Sequence, residues 1–278
     1  MKNERFRKVF RAVFSRRAGA VVNGRVPAGT RLGGFFARMK LRTAPPEGEA
    51  HGKQFFGQFA EDACLFSYFA DKQYSITQDL SRVGKGFYVD VGAYDPVAIS
   101  NTRIFYAAGW QGINIDPSSA SMESFVRARP RDVNLRCAVS DHEGSITFYG
   151  FGHPSVFSTV DREVAVDYAK RLGIEPTVEI VPSSRLSVIL ESHLPPNTRI
   201  DFLSVDAEGH DLQVLQSNDW SRFRPELVVT ELHCSELEKV LQSPVVKYMR
   251  AVGYAIRFWT PPSVIMVDTA IDGGESIS

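Results

Sequence analysis

The sequence predicts an α/β protein built on a doubly wound, mostly parallel sheet. Three observations point there. Short apolar runs of strand length alternate with helical runs along residues 54–278. The first of these runs, Phe87-Tyr88-Val89-Asp90-Val91, ends in Gly92. The second, residues 112–116, ends in a carboxylate, Asp116, 24 positions after that glycine. Strands separated by helices imply βαβ units. In open sheets of this kind, ligands bind beyond the carboxyl ends of the strands, where strand order reverses.

In chain order, residues 4–17 place Phe6, Val9, Phe10, Val13 and Phe14 at i, i+3, i+4, i+7 and i+8, a single helical stripe. Arg5, Lys8, Arg11 and Arg16 lie off that stripe, so the segment is a basic amphipathic helix. Residues 18–52 are rich in Gly, Pro and Arg, and Ala44-Pro45-Pro46-Glu47-Gly48 is a breaker cluster. The boundary between an N-terminal arm, 1–53, and the main domain, 54–278, falls just after it. Helices are expected over 58–72, 101–108, 119–128, 161–172, 184–192 and 235–251. The last is opened by Ser235 with Glu238 three residues on, a capping-box pattern. Strands are expected over 87–93, 112–116, 134–139, 145–149, 178–181, 201–206 and 227–232. Residues 255–260 and 264–268 flank Pro261-Pro262-Ser263 and predict a C-terminal antiparallel hairpin. Residues 141–197 are expected to form a lid or insert.

The charge balance of 32 basic and 32 acidic side chains hides an asymmetry: residues 1–53 carry a net +10 and the remainder a net −10. The basic helix over 4–17 suits an anionic membrane surface, an acidic partner, or this chain's own acidic domain. Nucleic acid is disfavoured, because the arm's aromatic rings sit on the apolar stripe and form no stacking platform. Three scattered cysteines, Cys64, Cys137 and Cys234, argue against a disulfide framework or a zinc site. No apolar run reaches the roughly 18–20 residues of a membrane span, and arginines interrupt any signal-peptide core. The expectation is a cytoplasmic protein, with the arm as a means of peripheral membrane attachment.

The first site signal is Asp90-Val91-Gly92-Ala93-Tyr94-Asp95. Gly92 lets a ligand approach the backbone, and Asp90 suits a cationic amine or a neighbouring amide. Asp116 is placed to accept two hydroxyl hydrogen bonds from a ribose diol, or else to cap the helix that follows Ser118. A pyrophosphate needs G-x-G-x-x-G opening a helix, and the sequence here offers one glycine followed by Tyr94 and Pro96. A donor without phosphate, S-adenosylmethionine, does not need the missing glycines. An NAD-dependent oxidoreductase is the rival enzyme class, and a non-catalytic membrane-tethered module the rival outside catalysis.

Several segments in order resemble the FkbM-type methyltransferases: residues 58–62 (QFAED), 87–96 (FYVDVGAYDP), Ser100-Asn101-Thr102, 109–117 (GWQGINIDP), 201–209 (DFLSVDAEG) and 211–217 (DLQVLQS). Together they cover about residues 54–233. The resemblance implies a class I, Rossmann-like methyltransferase fold, S-adenosylmethionine as donor, and methyl transfer to oxygen, often on a glycan, glycolipid or secondary metabolite.

The densest polar cluster is Asp206-Ala207-Glu208-Gly209-His210-Asp211, after a buried strand. The next strand ends in Glu231-Leu232-His233. Asp206 is expected to face the donor's sulfonium side, with Glu208 and His210 towards the acceptor. His210 or His233 would act as the base that removes the hydroxyl proton. Asp206 and Glu231 would suit Mg²⁺, which prefers carboxylate oxygens. The metal-free route is preferred, because no third acid stands beside Glu231 in the sequence.

Overall fold

The computed structural model describes residues 54–72, 84–152, 155–232, 234 and 236–272. The chain divides into two units, residues 1–54 and 55–278, and the elements below belong to the second. The arm over 1–53 lies outside the described residues.

A seven-stranded sheet forms the centre. Its strands are β1 (Phe87–Val91), β2 (Gln111–Ile115), β3 (Val133–Leu135), β7 (Phe202–Val205), β8 (Leu227–Glu231), β9 (Tyr254–Thr260) and β10 (Ser263–Asp268), in the order β3-β2-β1-β7-β8-β10-β9. Five are mutually parallel. β10 runs antiparallel to both β8 and β9. Every residue of β1 and β10 is buried, so these strands are near-continuous apolar runs, as a sheet covered on both faces requires. The final strand is interior: β10 inserts beside β8, and β9 becomes the edge. Strand order reverses between β1 and β7, and their carboxyl ends border a crevice.

Side chains alternate between the two faces. Tyr88, Phe202, Leu227 and Ile265 meet Leu65 and Phe69 of α1 (Glu61–Lys72) and Phe105 of α2 (Arg103–Ala107). Phe69, Phe105, Trp110 and Phe202 pack with ring centroids between 4.8 and 6.2 Å. Each such side chain stabilises the fold by roughly 1.5–3 kcal/mol on burial. α3 (Ser119–Ala128) starts at Ser118, whose hydroxyl accepts from Ser121 N. On the opposite face, Val89, Val91, Leu203 and Val228 pack with α5 (Leu186–His193), α6 (Asp211–Gln216), α7 (Leu237–Gln242) and α8 (Pro244–Ala251).

Residues 138–184 add a second sheet. β4 (Ala138–Val139), β5 (Gly144–Gly150) and β6 (Thr177–Ser184) pair in the order β4-β6-β5, with α4 (Arg162–Leu172) between β5 and β6 in sequence. Asp161 caps α4 by accepting from Glu163 N and Val164 N, and Gly173 ends it in the left-handed conformation.

The elements depart from the sequence expectation at three places. α1 starts at Glu61 instead of residue 58, because Ala60 takes φ +68 and the chain before it folds back. Phe56 N donates to Asp62 and Phe59 N to Glu61, which fixes that turn. The strand expected over 134–139 is two strands in two sheets, separated by a turn in which Cys137 N donates to Leu135 O. The helix expected over 235–251 is two helices. Pro244 has no N–H to continue α7, and Ser243 caps α8 by accepting from Val246 N. Ser235, half of the expected capping box, lies outside the described residues.

Candidate active site

The crevice is built first by backbone. Gly92 takes φ +75, and a Cβ there would collide with the carbonyl oxygen of Asp206. The glycine is therefore demanded by the neighbouring strand: β1 and β7 leave the sheet too close together for any side chain. Gly92 N donates to Ile115 O and Asp206 N to Val91 O, both at 2.9 Å, so the ends of β1, β2 and β7 are tied.

Asp116, at the end of β2, is buried. Its Oδ2 accepts from Tyr94 N at 3.0 Å and its Oδ1 from Ser118 N at 2.8 Å. Burial pushes its carboxyl up to about 6 against the lowering effect of those amides. Tyr94 itself takes φ +57, and burial, then Asp95, raise its phenol to about 12. Asp90 is buried on the α2 side, where its Oδ2 accepts from the Thr102 hydroxyl at 2.8 Å. Arg129 completes that network, donating to Thr102, Ser100 and the Pro96 carbonyl at 2.6–2.8 Å. Burial raises the Asp90 carboxyl, and Arg129 offsets this. Together Asp90 and Arg129 fix the loop that carries Asn101 into the crevice.

Beyond the strand ends lies a cavity bordered by Gln58, Glu61, Asn101, Asp206, Glu231 and Ser263. Glu61 is held by the Ser263 hydroxyl at 2.7 Å and by Phe59 N at 2.8 Å. Two acceptors on this cavity, Asn101 Oδ1 and Asp206 Oδ1, are buried without a partner among the described residues. A buried acceptor left unsatisfied costs about 1–3 kcal/mol, so both suit a ligand that brings donors.

Asp206, Glu208 and Glu231 converge, with one oxygen of each within 4.8 Å of the others. Asp206 and Glu231 are hydrogen-bonded to each other, which requires a shared proton. Burial, then the charge of Glu231, holds Asp206 well above the usual carboxylate range. Burial, then the charge of Glu208, raises Glu231. Glu208 is pushed up to about 8 by burial and Asp206, although the Tyr168 hydroxyl donates to its Oε2 at 2.6 Å. Tyr168 lies on α4, so the second sheet and its helix are tied to the acids. Thr159 adds a bond to the Glu208 carbonyl at 2.9 Å. The rings of Phe151 and Phe157 stand edge-on to Tyr168 at 6.3 and 5.2 Å.

Of the two histidines expected in the site, His210 is among the described residues. His210 Nε2 lies 3.2 Å from the Ser140 hydroxyl, beside β4. Burial lowers the pKa of its imidazole, and the charges acting on it are those of Asp141, Asp161 and His142. His233 lies outside the described residues, as do His153 and Pro154 of the loop after β5. Glu208, expected towards the acceptor, is the third acid that the sequence does not show beside Glu231. Asn101, Glu61 and Ser263 went unrecognised. Ser100-Asn101-Thr102 was visible as a motif, whereas nothing in the sequence ties residue 263 to residue 61.

The model of the methyltransferase FkbM domain matches residues 90–256, more than half of the chain. The chain belongs to this family. No curated protein sequence matches it. As an FkbM-domain protein it is a methyltransferase, and the match runs from Asp90 in β1 to Ile256 in β9. It therefore takes in Asn101, the three acids and the second sheet, while Gln58, Glu61 and Ser263 of the cavity lie outside it. Among the described residues, no helix is long and apolar enough to cross a membrane.

Proposed function

We propose that this methyltransferase takes its methyl group from S-adenosylmethionine and delivers it to a hydroxyl oxygen of a glycan, glycolipid or secondary metabolite. The observation that carries the reading is the pair of unsatisfied acceptors, Asn101 Oδ1 and Asp206 Oδ1, on a cavity next to the strand-order reversal. Such a pair suits the donor groups and positive charge of S-adenosylmethionine, and among the described residues none of the side chains lining the cavity is basic. In this reading Asp116 accepts the ribose hydroxyls with its remaining lone pairs. Gly92 and Tyr94 shape the wall of the crevice, and Asp90 keeps the Ser100–Thr102 turn in place. When bound, the donor supplies an electrophilic methyl group on a sulfonium.

The acids act on the acceptor. A hydroxyl is a poor nucleophile while it keeps its proton, and a base of pKa near the working pH removes it best. Glu208, at about 8, meets that condition. It replaces His210, which bonds to Ser140, as the base of first choice, and His233 is the remaining histidine candidate. The same three carboxylates fit a hard divalent cation such as Mg²⁺, held by oxygen ligands from Asp206, Glu208 and Glu231. A cation there would relieve the mutual repulsion of the acids and bind the acceptor oxygen. The basic segment over 4–17 is the proposed contact with an anionic membrane, where a glycolipid acceptor would be found.

The test uses methyl-labelled S-adenosylmethionine and a panel of polyhydroxylated acceptors. Label should pass into a product stable to mild alkali, as an ether is and an ester is not, and Asp206→Ala should abolish transfer at saturating donor. Loss on chelation with recovery in Mg²⁺ assigns the cation. Indifference to chelator with loss in Glu208→Gln assigns the carboxylate base. Label found only in alkali-labile esters or in amines would overturn transfer to hydroxyl.

A further inference from the structure

The second sheet has one face and one edge unlike the rest of the surface. β5 and β6 pair over their whole length, so alternate side chains divide between two faces. Ile146, Phe148 and Val181 turn inward, where they pack with Ala138 and Val160. The outward set is Tyr149 beside Val178, Thr147 beside Ile180, and Ser145 beside Pro182. Val178 is 61% exposed and Ile180 70%, the highest values among the large hydrophobic side chains described. An antiparallel sheet with one packed face normally turns polar side chains to water on the other. This outward face holds no charged group, although 23% of the chain's residues are charged. β6 is also open along its edge. β4 pairs with it only at Ser183 and Ser184, and among the described residues 177–180 have no strand on that side. All four of those residues are exposed. An open edge with exposed aliphatic side chains is a template for another strand.

Charge decides which strand fits. A twofold axis sets each residue near it against its own copy, so an unbalanced charge there repels itself. Within 176–182 the one charged side chain is Glu179, and Arg136 Nη2 balances it at 2.8 Å. The strip is therefore neutral as well as apolar, and it is complementary to itself. We propose that the open edge of β6 is a dimer interface: two copies of this chain pair antiparallel through residues 177–181, about an axis at Glu179, and join their β5–β6 ladders into one sheet. In that register Val178 stands opposite the partner's Ile180 on the outward face, and cross-strand pairs of β-branched side chains stabilise a sheet. A slip of one residue would set Val178 opposite the partner's Glu179, so the pattern fixes the register. A membrane fits this strip less well, because the face has no basic side chain and lipid would leave the edge N–H and C=O groups unpaired.

The test is the mass of the full chain by light scattering after gel filtration, at micromolar concentration and in high salt, which screens the basic segment over 4–17. The wild-type chain should have the mass of two chains. Val178→Asp combined with Ile180→Asp should have the mass of one, with an unchanged circular dichroism spectrum, because both side chains are exposed. Should that double variant misfold, Glu179→Cys decides. Under mild oxidant it should form a covalent dimer, since residues facing each other across the axis lie within disulfide reach. The wild-type chain, whose Cys64, Cys137 and Cys234 are half-buried, should not. A wild-type monomer, a dimer that survives the double substitution, or a Glu179→Cys chain that fails to cross-link would each overturn the proposal. So would a wild-type chain that stays monomeric alone and takes up an extended peptide at β6, which would point to strand addition from another protein.

Discussion

Among single residues, the acids carry the most chemistry and the least comfort. Glu208 has an ordinary value of 4.5 and is held at about 8, first by burial and then by Asp206. A carboxyl whose pKa is raised on folding binds its proton more tightly in the folded state. Its contribution to stability is fully present below 4.5 and is lost as pH rises through about 8. Asp116 and Asp211, each held at about 6, act in the same sense over a lower window. The melting temperature of the wild-type protein should therefore fall between pH 5 and pH 8.5. Glu208→Gln should flatten the upper part of that fall, above about pH 6.5, and melt higher than wild type at pH 8.5, with Mg²⁺ absent. Thermal melts over that range check it, and an unchanged slope in the variant would remove Glu208 from the group of strained acids. Much of this was legible in the sequence, because Asp206, Glu208 and Glu231 stand at the ends of two strongly apolar runs. Their convergence was not, since it depends on which strands are neighbours. Gly92 was legible as a special position, but its reason is the backbone of Asp206, more than a hundred residues away in sequence.

Among elements, apolar runs marked strands well, and local chemistry decided the ends. Ala60 at φ +68 and the backbone bonds taken by Glu61 and Asp62 moved the start of α1. Ser243-Pro244 split one helix into two by a rule that the sequence displays openly. The division of residues 133–139 between two sheets has no local signal, because β3 and β4 find their partners in β2 and β6. The basic segment over 4–17, for which the sequence predicts a helix, lies outside the described residues, and its role is a separate question from catalysis. Deleting residues 1–17 should leave a folded domain that still binds the donor. The full chain should sediment with anionic vesicles more than the shortened one, and added salt should narrow the difference, because screening weakens exposed charges. Equal sedimentation of the two chains would contradict a membrane role for that helix and favour docking on an acidic protein surface.

For the whole molecule, strand order gives the site its place. The sheet reverses between β1 and β7, and the crevice beyond it gathers Asp116 from β2, Asn101 from the loop before α2, and Asp206 from the end of β7. The second sheet then reaches the acids through Tyr168 and Thr159. In the proposed reading, one side of the crevice takes the donor and the other the acceptor. It follows that the donor can be tested before any acceptor is known. The most direct measurement is calorimetric titration of the full chain with S-adenosylhomocysteine, the demethylated donor, and with NAD in parallel. S-adenosylhomocysteine should bind at one site per chain, NAD should not bind, and Asp116→Ala should weaken the first by on the order of tenfold or more through loss of the hydrogen bonds to a buried diol. Binding of NAD without S-adenosylhomocysteine, or an affinity for S-adenosylhomocysteine unchanged in Asp116→Ala, would contradict the site described here.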